Sequence, residues 1–559
     1  DASGVAADTA TFGTTAGPVS VQASSGALTP VTFGATATAG NPTTLAKNGG
    51  DAQSATVNTA VATAPSVKVT DQFGNGVSGM GITYSVPATH GSVTGGSATT
   101  GANGVAAVGS WILDSIAGGN TLTATPGVSL TPVSVAFSGT GTAGAVSASK
   151  STLVAGTATI TACSSGCSTG TTASTITVTE LDQFGNPISG GFVLFGSTGT
   201  SNTFSPASGS TNGSGVLSSS FNSTKAEAKT ISVSGGVTQT AAVTVSPAAV
   251  DLTTSTVGVS AGSMTACSTS CTTGAGTAVT VTVTVRDGFS NVRPGSLVSI
   301  SATGTVNTFN PSSGTTDGNG QVISTFNATL IGTHTVSATA NFSTIVQTQN
   351  VTVNAAAASA MVVNGTTNNR VARITAGVAS PPSVLVTDAF GNVKSGASIA
   401  FGTVTGGGTI GATPQTTNGS GIATLPSWTM GSTGAITKGA HLNTLLASTA
   451  GVTSLTFADS GIYTLSSDVQ PIWTANCTSC HFTGGTNPNL TTGNSRAATV
   501  GVAAVCTSGT RIVAGSSATS VLYLRMTGGS CGAMPPSGIL AAATTNIVRD
   551  WIDNGAQNN

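Results

Sequence analysis

The chain has 559 residues, of which only 6% are charged, with a formal net charge of −1, 75 glycines and 4% aromatics. Ordinary globular domains are about a quarter charged, so a helix-rich enzyme core is not expected, and the charge balance gives no basic footprint for nucleic acid and no polybasic membrane patch. No apolar run reaches the ~18 residues of a transmembrane segment and no signal peptide is read, so a mature secreted chain, or a piece of one, is expected.

In chain order, the first forty residues anticipate later ones. DASGVAADTATF aligns with GANGVAAVGSWI at an offset of 100, placing Gly4 on Gly104, and LTPVTFGATATAG from Leu28 matches LTPVSVAFSGTGTAG from Leu130. Four longer units follow. Their first markers are VTDQFGNGVSG from Val69, ELDQFGNPISG from Glu180, VRDGFSNVRPG from Val285 and VTDAFGNVKSG from Val386. A second marker ends at Gly104, Gly215, Gly320 or Gly421, always 33 residues after the aspartates Asp71, Asp182, Asp287 and Asp388. One supersecondary unit has been copied.

Between the markers, stretches such as TITVTELD and VTVTVRD alternate with the period of half-buried strands. The Gly-Asn pairs supply positive φ at turns, and an aspartate just before them can accept from the turn backbone. Units of about 100 residues with many short strands predict antiparallel β-sandwiches. Trp111 and Trp428, and Phe221 and Phe326, fall just after the second marker and are expected to plug the cores. The expected boundaries are 1–40 (the closing half of a sandwich), 41–144, 145–247, 248–354, 355–463 and a different domain over 464–559. Half a sandwich leaves an apolar face and open strand edges in water. Either the natural chain continues upstream, which is the favoured expectation, or a neighbouring subunit supplies strands and builds a homopolymer. Cys163/Cys167 and Cys267/Cys271 are local pairs with no histidine or third cysteine nearby and are expected to be disulfides. His90, His334 and His441 stand alone and are expected to be ordinary satisfied or surface residues.

The recurring V-x-V-x-D-x-x-G-N-x-V-x-G, followed by T-x-x-x-G-x-A, resembles the bacterial immunoglobulin-like repeats of the invasin/intimin kind over about residues 41–463, with Ser290 departing from the glycine of the pattern. The resemblance implies a stalk or adhesin array at a cell surface and supplies no binding target.

After Leu465 the texture changes. SSDVQPIWTANCTSCH, SSATSVLYLRM and TTNIVRDWIDNG are helix patterns, the last stopping at Asn554-Gly555, so a small all-α domain is expected. Cys477-x-x-Cys480-His481 admits three readings: covalent haem attachment with the histidine on iron, a structural zinc site completed by Cys506 and Cys531, or a thioredoxin-like pair, which lacks its βαβ context. Haem iron wants a ligand on its second face. The domain has no second histidine, but GAMPP from Gly532 offers Met534 on a proline-stiffened loop, which favours haem. The domain resembles class I monohaem cytochromes c. VQPIWTANCTSCH matches their first helix and attachment motif, GAMPP the axial-methionine loop, and IVRDWIDNGA the closing helix. The resemblance implies one covalent haem c, with Cys477 and Cys480 as attachment points, His481 as the proximal iron ligand and Met534 as the distal one. Met526 is the rival distal ligand, Trp473 and Trp551 are expected to pack the first and last helices together, and Arg525 is a candidate for a haem propionate. A Cys506–Cys531 disulfide would pin the methionine loop and contribute ~3 kcal/mol by chain entropy.

Two functions remain open. One is extracellular electron transfer, without substrate turnover, to a redox partner protein or an external electron acceptor, from a haem displayed on an immunoglobulin-like stalk that can assemble into a filament. The other is an adhesin or fibre-forming subunit in which the haem domain is secondary.

Overall fold

The computed structural model describes residues 1–529 and 531–559 and is mostly β. It divides into two compact units, residues 1–249 with 286–291, and residues 250–285 with 292–559.

The first unit opens on a lone hairpin, β1 (Gly17–Ala23) against β2 (Val31–Ala37). The first full sandwich follows, with strands β3 (Pro42–Gly49), β4 (Gln53–Thr56), β5 (Ser66–Asp71), β6 (Gly81–Ser85), β7 (Ser92–Thr94), β8 (Ser97–Thr99), β9 (Val105–Ala107), β10 (Ser110–Ile112), β11 (Gly118–Pro126) and β12 (Val135–Thr142). One sheet has the order β4-β12-β11-β6-β8, with β4 parallel to β12; β3-β5-β9 forms the facing sheet, and β7 pairs with β10. Alternate residues point inward because side chains on a strand repeat with period two. Leu45, Val67, Val69, Leu122 and Phe137 therefore meet around Trp111. The second sandwich has a four-stranded and a five-stranded sheet enclosing Phe221, which packs on Phe204 at 5.0 Å.

The aspartate of each first marker is the centre of a hydrogen-bond cluster. Asp182 Oδ1 accepts from the amides of Phe184 and Asn186, and Oδ2 from the Asn186 side chain and the Gly144 amide, at 2.8–3.0 Å. Both carboxylate oxygens are thus filled by N–H donors, which leaves the motif no free lone pair aimed at a cation. The asparagine it holds turns to the preceding repeat: Asn186 Nδ2 donates to the Ser115 carbonyl and Oδ1 accepts from the Ala117 amide, both at 2.7 Å. Asn75 grips Thr14 and Ala16 in the same way, and Asn291 grips Thr224 and Ala226.

Glu180 stands where the other repeats have Val69, Val285 and Val386. It is buried, its Oε2 has no hydrogen-bond partner among the described residues, and burial pushes its pKa up. Gly191 and Gly235 leave the room its carboxyl occupies, since a Cβ on either would collide with it.

In the second unit, the third sandwich encloses Phe326 stacked on Phe309 at 4.8 Å, and the fourth encloses Trp428, with no exposed surface. Asn392 repeats the joint, donating to Thr329 and accepting from Ile331. Every sandwich also buries one polar side chain at the same place in its sheet: Asn120, Lys229, His334 or Asn443. Each is satisfied by local groups. Lys229 Nζ donates to the Thr200 carbonyl and pairs with Glu227 at 2.6 Å, and both His334 ring nitrogens lie 2.9 Å from carbonyl oxygens.

The last hundred residues hold a π-helical turn, Leu465–Val469, and four helices: α1 (Gln470–Asn476), α2 (Ser495–Thr499), α3 (Val521–Met526) and α4 (Ala542–Asp553). The first expected helix begins on this turn, where Asp468 accepts from the backbone amide and the hydroxyl of Thr464. Among the described residues only α4 exceeds two turns, and a 3-10 turn at Ser517–Thr519, loops and isolated bridges fill the rest, so the expected all-α domain is sparsely helical. Trp473 and Trp551 meet edge to face at 5.7 Å and join α1 to α4.

Replacing Asp182 with alanine leaves buried N–H donors unfilled and is expected to lower stability by ~3 kcal/mol, with Asp182→Asn intermediate, read as a fall in the chemical-denaturation midpoint. Burial works against ionisation of Asp182 and Asp388, yet their asparagines and amides hold both below the usual carboxylate value, and the Asn75 side chain holds Asp71 at about 2. Their stabilisation is therefore complete above the ordinary value near pH ~4 and is lost as pH falls through the lower folded values.

Candidate functional site

Cys477 ends α1, and the chain then turns so that the amides of Cys480 and His481 both donate to the Cys477 carbonyl, at 3.1 and 2.9 Å. One helical turn thus brings both thiols and the imidazole to the wall of a cavity of about 720 Å³, within the ~300–1,000 Å³ of small-molecule and cofactor sites. Leu490, Val521 and Leu522 give it apolar lining, and Met526 and Met534 also reach it.

The imidazole is held in a defined way. His481 Nδ1 lies 3.0 Å from the carbonyl oxygens of both Thr486 and Pro488. Two acceptors around one ring nitrogen require that it carry the hydrogen, so in the neutral ring the lone pair is on Nε2. A backbone carbonyl fixing the tautomer in this manner is the usual support of a metal-bound histidine. The pair Cys477 and Cys480 is free, and burial, with the neighbouring Cys480, pushes the Cys477 thiol up to about 11. A reactive redox pair needs a lowered thiol pKa. Cys506 and Cys531 are bonded to each other, so they do not complete a four-sulfur site with the first pair.

The two methionines differ. Met526 is 2% exposed and belongs to the core around Trp473 and Trp551, whereas Met534 sits on a loop at the cavity. That loop is tied back to α3: the Met534 amide donates to the Arg525 carbonyl at 2.9 Å, and Arg525 Nε donates to the Gly532 carbonyl at 3.3 Å. Arg525, from sequence a candidate for a haem propionate, is placed by this bond against the methionine loop. The disulfide fastens the same loop to Cys506, which also lines the cavity. Arg511 also lines the cavity, 8% exposed and donating to the Ala498 carbonyl at 2.6 Å. It escaped sequence reasoning because a lone arginine before a β-branched pair has no pattern to mark it.

The fourth sandwich and the cavity-bearing segment share a polar seam. His441 Nε2 lies 3.0 Å from Asp550 Oδ2, both buried, and Arg549 pairs with the other Asp550 oxygen at 2.7 Å. Arg373 makes a two-pronged pair with Asp468. A Cβ on Gly439 would strike the Asp550 carbonyl, so the hairpin tip approaches α4 as only glycine allows. His441, an ordinary satisfied residue by sequence, is half of this buried pair. The remaining disulfides, Cys163–Cys167 and Cys267–Cys271, form as the spacing predicts.

His441→Ala leaves Asp550 buried with one partner fewer and is expected to cost ~3 kcal/mol, measured as earlier thermal unfolding of the helical segment. Thiol labelling of chain folded without a prosthetic group, under denaturing and non-reducing conditions, is expected to find two reactive cysteines, Cys477 and Cys480. Labelling at Cys506 or Cys531 would contradict the pinned loop.

No curated protein sequence matches the chain. Among solved structures, the Escherichia coli adhesin FdeC is similar at 22% identity over 57% of this chain and 99% of its own, with a TM-score of 0.39. Invasin, described as a bacterial integrin-binding protein, is similar at 18% over 75% of this chain and 79% of its own, with a TM-score of 0.35. InvD of Yersinia pseudotuberculosis is similar at 19% over 56% of this chain and 99% of its own, with a TM-score of 0.34. Residues 164–246, within the second sandwich, match the family described as bacterial Ig-like domain (group 1).

Proposed function

We propose that the protein is an extracellular or cell-surface c-type cytochrome, whose last hundred residues are a class I cytochrome c domain carried on immunoglobulin-like repeats. The observation that carries this reading is His481: its Nδ1–H is held by two carbonyls while the ring lines the same cavity as Cys477, Cys480 and Met534. The Cys477 and Cys480 thiols would hold the haem through thioether bonds, and His481 Nε2 and the Met534 sulfur would bind its iron. Bound there, the haem supplies a one-electron carrier, and a methionine ligand raises its potential.

The chain's own contribution is positional. Thr486 and Pro488 orient His481, Arg525 and the Cys506–Cys531 bond hold Met534, and the apolar walls exclude water. With His481 and Met534 both given to the iron, the site would transfer electrons rather than turn over a substrate. The His441–Asp550 seam fixes the redox head to the fourth sandwich. The partner is a redox protein or an external acceptor, or a second head if the repeats assemble into a filament. Among the described residues no helix is long and apolar enough to cross a membrane.

A second reading, an adhesin or fibre subunit, is favoured by the group 1 Ig-like match over residues 164–246 and by the weakly charged, Ser/Thr-rich strands. In it the repeats bind an external target and the haem is secondary.

Chain produced with the haem-attachment machinery is expected to keep its haem through denaturing electrophoresis and to lose it in Cys477→Ser/Cys480→Ser. Met534→Ala is expected to abolish the thioether-to-iron charge-transfer band while Met526→Ala retains it. The opposite pattern moves the distal ligand to α3, and absence of covalent haem leaves the adhesin reading.

A further inference from the structure

We propose that the disulfides Cys163–Cys167 and Cys267–Cys271 are reducible braces on the joints between repeats. Closed, each stiffens the segment that the next repeat's asparagine grips, and a dithiol reductant loosens that segment alone. The inference stands apart from the haem reading and rests on a comparison of three repeats within the chain.

The first three sandwiches match residue for residue at this place. The amides of Val57, Ala162 and Ala266 donate to the carbonyls of Thr142, Ser246 and Asn354, so Asn58, Cys163 and Cys267 occupy one position. Their own amides donate in turn to the carbonyls of Asp114, Ser223 and Ala328, at 3.0 Å in each case. The next residue along is the one the following repeat holds. Ser115, Thr224 and Thr329 each accept from its asparagine, Asn186, Asn291 or Asn392.

The repeats differ in how this strap is completed. In the first sandwich a second backbone bond does it, from the Leu113 amide to the Thr59 carbonyl at 3.0 Å. In the second and third a side chain does it: Asn222 Nδ2 donates to the Cys163 carbonyl at 3.0 Å, and Asn327 Nδ2 to the Cys267 carbonyl at 3.2 Å. The cysteine thus holds the gripped segment through both its amide and its carbonyl. Its sulfur ties it to a partner four residues on.

The bond acts on the brace rather than on the fold. The first and fourth sandwiches close their cores without any cysteine. Disulfide stabilisation also grows with loop length, so a four-residue separation gives the whole domain little. The third repeat's loop does not hold its shape unaided. Ser270 takes φ 55° where its counterpart Gly166 takes φ 64°, a left-handed conformation that serine adopts only when its surroundings impose it. All four cysteines are half-buried, and the residues between them, 164–166 and 268–270, are exposed to a reductant.

The step is thiol–disulfide exchange. One thiolate of the dithiol attacks a cysteine sulfur, forms a mixed disulfide and expels the other cysteine as a thiolate. The reductant's second thiol then displaces the first cysteine. Two electrons and two protons pass to the protein, and the reductant leaves as its own disulfide.

The test reads amide exchange in the full chain at Ala226 and Ile331, which donate to Asn291 and Asn392, and at Ala117, which donates to Asn186 in a joint without cysteines. Cys163→Ser/Cys167→Ser is expected to speed exchange about tenfold at Ala226 and not at Ile331, and Cys267→Ser/Cys271→Ser the reverse. Dithiothreitol, with reduction confirmed by mass after alkylation, is expected to speed both and leave Ala117 as it was. Unchanged exchange at Ala226 and Ile331 in the variants or the reduced chain overturns the proposal, and so does dithiothreitol that leaves both disulfides intact. Equal acceleration at core amides, such as Val178 in the second sandwich and Val283 in the third, also overturns it, since the disulfides are then staples of the whole sandwich.

Discussion

The array depends on one short coupling, an aspartate that holds an asparagine that holds the repeat before it. The Asp182 carboxylate is filled by its own turn and by Asn186, which leaves the amide of Asn186 no freedom except to face Ser115 and Ala117. The aspartate sets a direction and the asparagine uses it. Because the same side chain both donates and accepts, it grips two backbone groups two residues apart and so fixes orientation as well as distance. A single hydrogen bond would act as a pivot; two act as a clamp.

Much of this was legible in the sequence, for reasons visible in particular residues. The 33-residue interval between Asp71 and Gly104 is rigid because the Gly104 carbonyl accepts the amide of Val69 and a Cβ at Gly104 would collide with the carbonyl of that residue. An insertion there would break the contact, whereas loops elsewhere absorb indels. Trp111, Trp428, Phe221 and Phe326 announced themselves by size and position. The clamp did not, since a turn asparagine looks the same whether it serves its own loop or a neighbouring domain. Ser290 carried the hint: the glycine of the motif is dispensable, at φ 67° for serine, while the asparagine is not replaced in any of the four repeats.

At the cavity, Cys477, Cys480 and His481 were readable because their spacing is fixed by one helical turn, and Met534 because two prolines follow it. What surrounds them was not. The carbonyls of Thr486 and Pro488 belong to a loop with no side-chain signature, and Arg525 holds Gly532 through a backbone oxygen. Backbone acceptors are invisible to residue patterns. The same holds for the seam, where His441 and Asp550 are separated by more than a hundred residues and meet only because Gly439 lets a hairpin tip touch α4.

The polar residue buried at one place in every sandwich bears on how tandem copies avoid exchanging strands during folding, the characteristic failure of repeated domains. Neighbours use different chemistry there. Lys229 brings a charge that Glu227 and the Thr200 carbonyl neutralise, whereas His334 fits between the carbonyls of Thr303 and Leu330. A strand swapped between these two repeats would part the Lys229 ammonium from the Thr200 carbonyl and the His334 imidazole from the Thr303 carbonyl, neither of which belongs to the swapped strand. Each mismatch strands a buried polar group, at a penalty of ~1–3 kcal/mol or more. Sequence divergence at one interior position thus acts as a lock-and-key code along the chain, making each repeat a poor host for its neighbour's strand.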